Sequence, residues 1–136
     1  MCDYIGQFGF DAAFVDFEHG DPPTLDQGAS GVVVPHIITP DDARHAAAAC
    51  RYPPDGVRGV AGSRRSYGVD DFFRRANEEV TCTALIEDYA AVQNIEALIE
   101  VDGVDVFYVA PSDLAASMGH TGDVGHPDVQ DAISGQ

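Results

Sequence analysis

The chain has 136 residues, 45% of them apolar, and a formal net charge of -16 from 23 acids against 7 basic residues, all of them arginine. That length and apolar content specify one folded domain over residues 1–136, and so acidic a surface repels phosphate backbones and anionic membranes, which excludes nucleic acid and lipid as partners. The absence of lysine excludes Schiff-base chemistry, and abundant Asp without Lys fits a halophilic, salt-rich cytoplasm in which screening makes self-repulsion tolerable.

In chain order, the apolar run Ala12–Val15 ends in Asp16, Glu18 and His19. It reads as a buried parallel strand with a polar C-terminal tip, the end of the strand where sites form in α/β folds. Gly20-Asp21-Pro22-Pro23 is a turn, and Gly31–Val34 before Pro35 reads as a second buried strand. Thr39-Pro40-Asp41-Asp42 starts a helix with a threonine cap, proline in the first turn and acids beside it. That helix runs through an alanine stretch to Cys50 and ends at Tyr52–Gly56. A glycine- and arginine-rich loop follows to Gly68, then a helix over Val69–Asn77 and a third strand over Thr81–Ile86. Asp88 caps a helix with Val92, Ile95, Leu98 and Ile99 on one face. Asp102-Gly103 turns into a fourth strand, Val104–Val109, and a short helix runs from Ala110-Pro111-Ser112-Asp113 to Met118. His126-Pro127-Asp128 opens a last helix. Repeated strand–helix units specify an α/β fold with a parallel sheet and right-handed crossovers.

Cys2, Cys50 and Cys82 are odd in number and match no zinc or redox spacing, so they are expected to be reduced and mostly buried. No apolar run approaches the ~20 residues of a membrane span, and no basic region precedes an apolar stretch at the N-terminus. The expected location is the cytoplasm.

All four strands end in polar residues: Asp16, Glu18 and His19; His36; Glu87 and Asp88; Ser112 and Asp113. Parallel strands bring these ends to one face. Glu87 and Asp113 follow consecutive strands ~4.8 Å apart, a spacing at which two carboxylates can share one hard divalent cation such as Mg²⁺ or Mn²⁺; the alternative is that one of them caps a helix. His19 is either a general base titrating near neutrality or a hydrogen-bonded loop residue, with Asp16 and Asp26 as acids able to orient it. His36, His45, His120 and His126 fall in no such constellation, His45 reading as helix surface and His126 as a turn residue.

Together these segments resemble the HpcH/HpaI aldolases, metal-dependent class II pyruvate aldolases of the 4-hydroxy-2-oxo-heptane-1,7-dioate aldolase type. The resemblance lies in Val15-Asp16-Phe17-Glu18-His19, Leu25-Asp26-Gln27-Gly28-Ala29, Val32-Val33-Val34-Pro35, Arg51-Tyr52-Pro53-Pro54-Asp55-Gly56-Val57-Arg58-Gly59, Arg75-Ala76-Asn77, Ile86-Glu87 and Pro111-Ser112-Asp113-Leu114. It implies a (β/α)₈ TIM-type barrel, here partial, assembled as a homo-oligomer. It also implies Glu87 and Asp113 as ligands of Mg²⁺ or Mn²⁺, His19 as acid/base, and Asp26 as the acid that raises the basicity of His19. Pro111, Ser112 and Asp113 would bind the substrate, the backbone at Ser112 and Asp113 holding the pyruvyl carboxylate. The implied reaction is reversible cleavage of a 4-hydroxy-2-oxo acid to pyruvate and an aldehyde; the alternative is a catalytically impaired remnant acting as a binding or assembly subunit.

The sequence departs from the family pattern in three ways. Six residues separate His19 from Asp26, where the family has a further helix and a strand carrying an arginine that stabilises the developing oxyanion. A family glutamine two residues before the metal-binding glutamate is Leu85. The first strand and the last two of the barrel have no counterpart.

Overall fold

A computed structural model describes Leu25 and residues 29–60 and 66–135. Three strands, β1 (Gly31–Val34), β2 (Thr81–Ile86) and β3 (Val106–Val109), form one parallel sheet in that order. Between and after them run α1 (Pro40–Cys50), α2 (Phe72–Glu79), α3 (Tyr89–Gln93), α4 (Ile95–Ile99), α5 (Pro111–Ser117) and α6 (Pro127–Ser134).

The register pairs Val32 with Cys82, Val34 with Ala84, Ala84 with Phe107, and Ile86 with Val109. Side chains alternate across a strand, and this set turns toward the helices. There it joins Ile37, Ala43, Ala46, Cys50, Ala91, Leu98 and Val101 in the core. The other face carries Val33, Thr83 and Leu85, half-buried, with Val106 and Tyr108 exposed. Cys50 and Cys82 are free, buried thiols, as expected; their mutual hydrogen bond, reinforced by burial, pushes Cys82 well above the ordinary thiol range. Cys2 lies outside the described residues.

Local chemistry sets most element ends where the sequence places them. Thr39 and Asp42 form a reciprocal capping box at α1. The Asp42 carboxylate also accepts the Ile38 N–H at 3.3 Å, and its bonds with Thr39 hold its pKa below the ordinary carboxyl value. Asp88 caps α3 by accepting the Ala90 N–H at 2.7 Å. Three expectations shift. The strand expected over Val104–Val109 starts at Val106. The helix expected from Val69 starts at Phe72, because Asp71 sits in a left-handed conformation with φ 58°. The helix after Asp88 is interrupted at Asn94, an exposed residue whose side chain donates to the Ile38 carbonyl at 3.1 Å.

A polar lock closes the end of the sheet where the strands begin. Arg51, just past α1, donates to the Gly103 carbonyl at 2.7 Å and meets Asp105 Oδ2 at 3.4 Å. Asp105 Oδ2 also accepts the Cys82 N–H at 2.7 Å. Asn77 accepts the Tyr52 N–H at 2.7 Å and donates to the Tyr52 carbonyl and to Asp55, both at 2.9 Å. The Tyr52 ring is buried, with Phe73 edge-on at 4.9 Å and the Arg58 guanidinium 4.4 Å from its centroid. Gly56 is required here: a Cβ would collide with the carbonyl oxygens of Ala48 and Arg51.

Candidate active site at the strand tips

Glu87 directly follows β2 and continues the alternation that puts Thr83 and Leu85 on the less covered face. It is 9% exposed, and among the described residues it is the only buried charged side chain. Burying a carboxylate is costly unless it is bonded. Its Oε1 accepts the His36 N–H at 2.7 Å, with His36 Nδ1 at 3.3 Å. His36 stands two residues past β1 at φ 56°, a left-handed conformation costing a non-glycine residue about 1–2 kcal/mol. The charge-assisted bond to Glu87, itself worth about 1.5–3 kcal/mol, offsets that cost.

The β2–β3 ladder places Asp113 near the same end. Ile86 pairs with Val109, and the Ala110 N–H donates to the Ile86 carbonyl at 3.0 Å. Glu87 and the start of α5 therefore leave the sheet from adjacent positions. Pro111 is the first residue of α5, Asp113 lies in its first turn, and both are exposed, as is Ser112. The N–H groups of Ser112 and Asp113 belong to the first turn, where no intrahelical acceptor exists. Neither Glu87 nor Asp113 caps a helix: Asp88 fills that role for α3, and α5 has no side-chain cap.

The chemistry of this donor set fits a hard divalent cation. Glu87 is fixed through Oε1, and Oε2 makes no hydrogen bond among the described residues. Asp113 adds a second carboxylate at the same end, and oxygen donors with positions left for water or substrate suit Mg²⁺ or Mn²⁺. His19, Asp16 and Asp26 lie outside the described residues. Arg58 does not reach this end, since it packs on Tyr52. A cavity of about 240 Å³ lined by Leu25, Ser30, Arg58, Phe72, Arg75 and Val80 also lies where the strands begin, away from Glu87.

His36 is the residue that sequence reasoning left without a role. Its place at a strand tip was readable; its pairing with Glu87, 51 residues away, depends on the left-handed turn after Pro35. His45 is exposed on α1, as expected. His126 caps α6, its Nδ1 accepting the Asp128 N–H at 3.3 Å. No described helix is long and apolar enough to cross a membrane.

Parallel strands, helices on one face and carboxylates at the C-terminal tips define a partial barrel of the (β/α)₈ type. The chain belongs to the HpcH/HpaI aldolase/citrate lyase family, whose pattern matches residues 16–135. It is 46% identical over 112 residues to the hydroxypyruvate/pyruvate aldolase of Sagittula stellata, covering 80% of this chain and 44% of that protein. A 5-keto-4-deoxy-D-glucarate aldolase from Shigella boydii is 44% identical over the same coverage. The crystal structure of a family member from Burkholderia cenocepacia superposes with a TM-score of 0.76 at 44% identity, covering 81% of this chain and 46% of that one. The chain thus spans about half the length of the relatives it matches.

Proposed function

We propose that this chain carries the cation-holding and carboxylate-binding part of a pyruvate aldolase. The reaction is reversible cleavage of a 4-hydroxy-2-oxo acid to pyruvate and an aldehyde. The observation that carries this reading is Glu87: a buried acid at a strand tip, half-bonded by His36, beside a helix that begins with exposed Ser112 and Asp113. Relatives named as a hydroxypyruvate/pyruvate aldolase and a 5-keto-4-deoxy-D-glucarate aldolase support the substrate class.

Glu87 and Asp113 hold the divalent ion, Mg²⁺ or Mn²⁺. When bound, that ion supplies Lewis-acid polarisation of the 2-oxo group. The Ser112 and Asp113 N–H groups take the substrate carboxylate, and Pro111 fixes the start of the helix that presents them. In the cleavage direction His19 accepts the 4-hydroxyl proton as the C3–C4 bond breaks and its electron pair passes toward the 2-oxo group. Asp26 raises the basicity of His19, and Asp16 orients its ring. The proton taken up by His19 is returned to C3, which completes pyruvate and restores the base; the aldehyde leaves. The family resemblance supports a homo-oligomer.

The test is pyruvate release from a 4-hydroxy-2-oxo acid with and without Mg²⁺ or Mn²⁺. Metal-dependent turnover abolished by Glu87→Ala is expected, and turnover without metal would overturn the reading. A second reading is a subunit that binds cation and oxo acid without turnover. It is favoured by the short spacing between His19 and Asp26, which leaves no room for the arginine-bearing segment of the family pattern. Oxo-acid binding that depends on Glu87, with no pyruvate formed at any salt concentration, identifies that case.

A further inference from the structure

The segment joining α5 to α6 and the first turn of α6 bring together two imidazoles and a carboxylate that the aldol chemistry does not use. The rings of His120 and His126 stack with centroids 3.6 Å apart and planes 14° apart. Asp128 Oδ2 lies 3.6 Å from His120 Nε2 and 3.8 Å from His126 Nδ1. One ligand-capable atom from each residue lies within 4.8 Å of the others, the only such group of three among the described residues.

The backbone that spaces these groups is pinned throughout. The His120 N–H donates to the Ala115 carbonyl at 2.8 Å, Asp123 N–H to His120 at 2.9 Å, and His126 N–H to Asp123 at 3.1 Å. The Gln130 side chain donates to the Val124 carbonyl at 2.8 Å. Leu114 and Ala115 on one side and Val129 on the other are fully buried. Such anchoring keeps the entropy cost of gathering the three groups low.

We propose that His120, His126 and Asp128 form a second divalent-cation site, selective for a borderline ion of the Zn²⁺ or Co²⁺ class. Two imidazoles and a carboxylate are donors that such ions accept, whereas Mg²⁺ prefers oxygen. Ligand bonds of 2.0–2.2 Å in a tetrahedron set donor atoms roughly 3.4 Å apart. The two Asp128 distances, 3.6 and 3.8 Å, already approach that spacing. The imidazole nitrogens converge by rotation about the bonds between Cβ and Cγ, which ends their parallel stack. The His126 Nδ1 lone pair is engaged only in a long bond, 3.3 Å, to the Asp128 N–H. His120, His126 and Asp128 have side chains 27%, 33% and 65% exposed, so water can complete the shell. The site stands apart from Asp113, which lies in the first turn of α5, whereas the site follows the last turn, roughly 6 Å or more further along the axis at 1.5 Å per residue. A bound ion staples the start of α6 to the end of α5.

The test uses the full chain without a polyhistidine tag, with Zn²⁺ titrated by calorimetry and Co²⁺ followed by visible absorption. The wild type is compared with Glu87→Gln, His120→Gln and Asp128→Asn. Losing even an outer-shell partner costs roughly 10–100-fold in metal affinity, so each loop substitution is expected to weaken Zn²⁺ binding at least about tenfold. Glu87→Gln removes the strand-tip ligand; in that variant the loop-site Zn²⁺ affinity is expected to persist, and Co²⁺ should give the intense bands of a four-coordinate ion. Thermal melts without metal establish that each variant is folded. Equal Zn²⁺ affinity in the wild type and both folded loop variants would overturn the site, as would a six-coordinate Co²⁺ spectrum, or loss of Zn²⁺ binding, in Glu87→Gln.

Discussion

Polar side chains collect at both ends of the three-stranded sheet, and the two ends use them differently. Where the strands begin, Arg51, Asn77 and Asp105 reach main-chain N–H or carbonyl groups and one another. Where the strands finish, Glu87 is held through one oxygen among the described residues, and Asp113 and Ser112 stand exposed. A polar group with a fixed set of partners has nothing left to exchange, so it serves as framework. A buried acid secured on one side only keeps its other side for an exchangeable partner. The same division holds in barrels generally, with stability at the N-terminal face and chemistry at the C-terminal face.

Substitutions at the two ends should therefore separate folding from activity. The largest effect is expected at Glu87. If the proposed Lewis-acid role holds, its several kcal/mol, at about 1.4 kcal/mol per tenfold, predict that Glu87→Gln loses more than about a hundredfold in turnover. Gln keeps an oxygen for the His36 N–H, so the urea midpoint should move little; a large drop in that midpoint would make Glu87 part of the framework instead. Asn77→Ala is expected to do the reverse. It strips partners from the Tyr52 backbone and should cost about 2–3 kcal/mol in denaturant unfolding, with metal affinity retained by the protein that remains folded.

Smaller effects sharpen the contrast. Thr39→Ala removes the α1 cap and should cost about 1 kcal/mol. The Thr39 hydroxyl, first among the causes, holds the Asp42 carboxyl below its ordinary value of 3.8. A carboxyl with a depressed folded pKa binds fewer protons in the native state, so its stabilisation is present above 3.8 and is lost as pH falls through the lower folded value. Asp42→Asn should accordingly flatten the acid limb of the stability curve below pH 3.8, measured as melting temperature against pH. Last, Arg74 pairs with Asp71 and Glu78 on an exposed face of α2. Arg74→Gln is expected to leave the melting temperature unchanged, because exposed pairs contribute little.

The elements were largely legible in the sequence because their signals are local. Valine runs, the Thr39 box, the Asp88 cap and Pro111 act within a few residues of themselves. The Arg51–Arg58 stretch carried much of the family resemblance, yet in the structure it is framework; a motif recognisable by its spacing need not touch substrate. What the sequence hid depends on distant partners. Glu87 was legible as an acid at a strand tip, but its bond to His36 needs a left-handed turn 51 residues earlier. The apolar spacing of Val92, Ile95, Leu98 and Ile99 continues through Asn94, so periodicity could not register a helix break tied to an Asn94–Ile38 bond. His120 and His126 are six residues apart, a separation that neither a helix nor a strand face brings together; a run of turns does.

The Asn94 bond also bears on how firmly Glu87 is aimed. Ile38 is gripped from two directions, its N–H by Asp42 and its carbonyl by Asn94, and Ile37 beside it is buried. The amide that steadies Glu87 thus hangs from a tether anchored in two separate helical segments. Slackening either anchor, at Asp42 or at Asn94, would let His36 wander and blur the carboxylate's bearing, although neither residue approaches the acid itself.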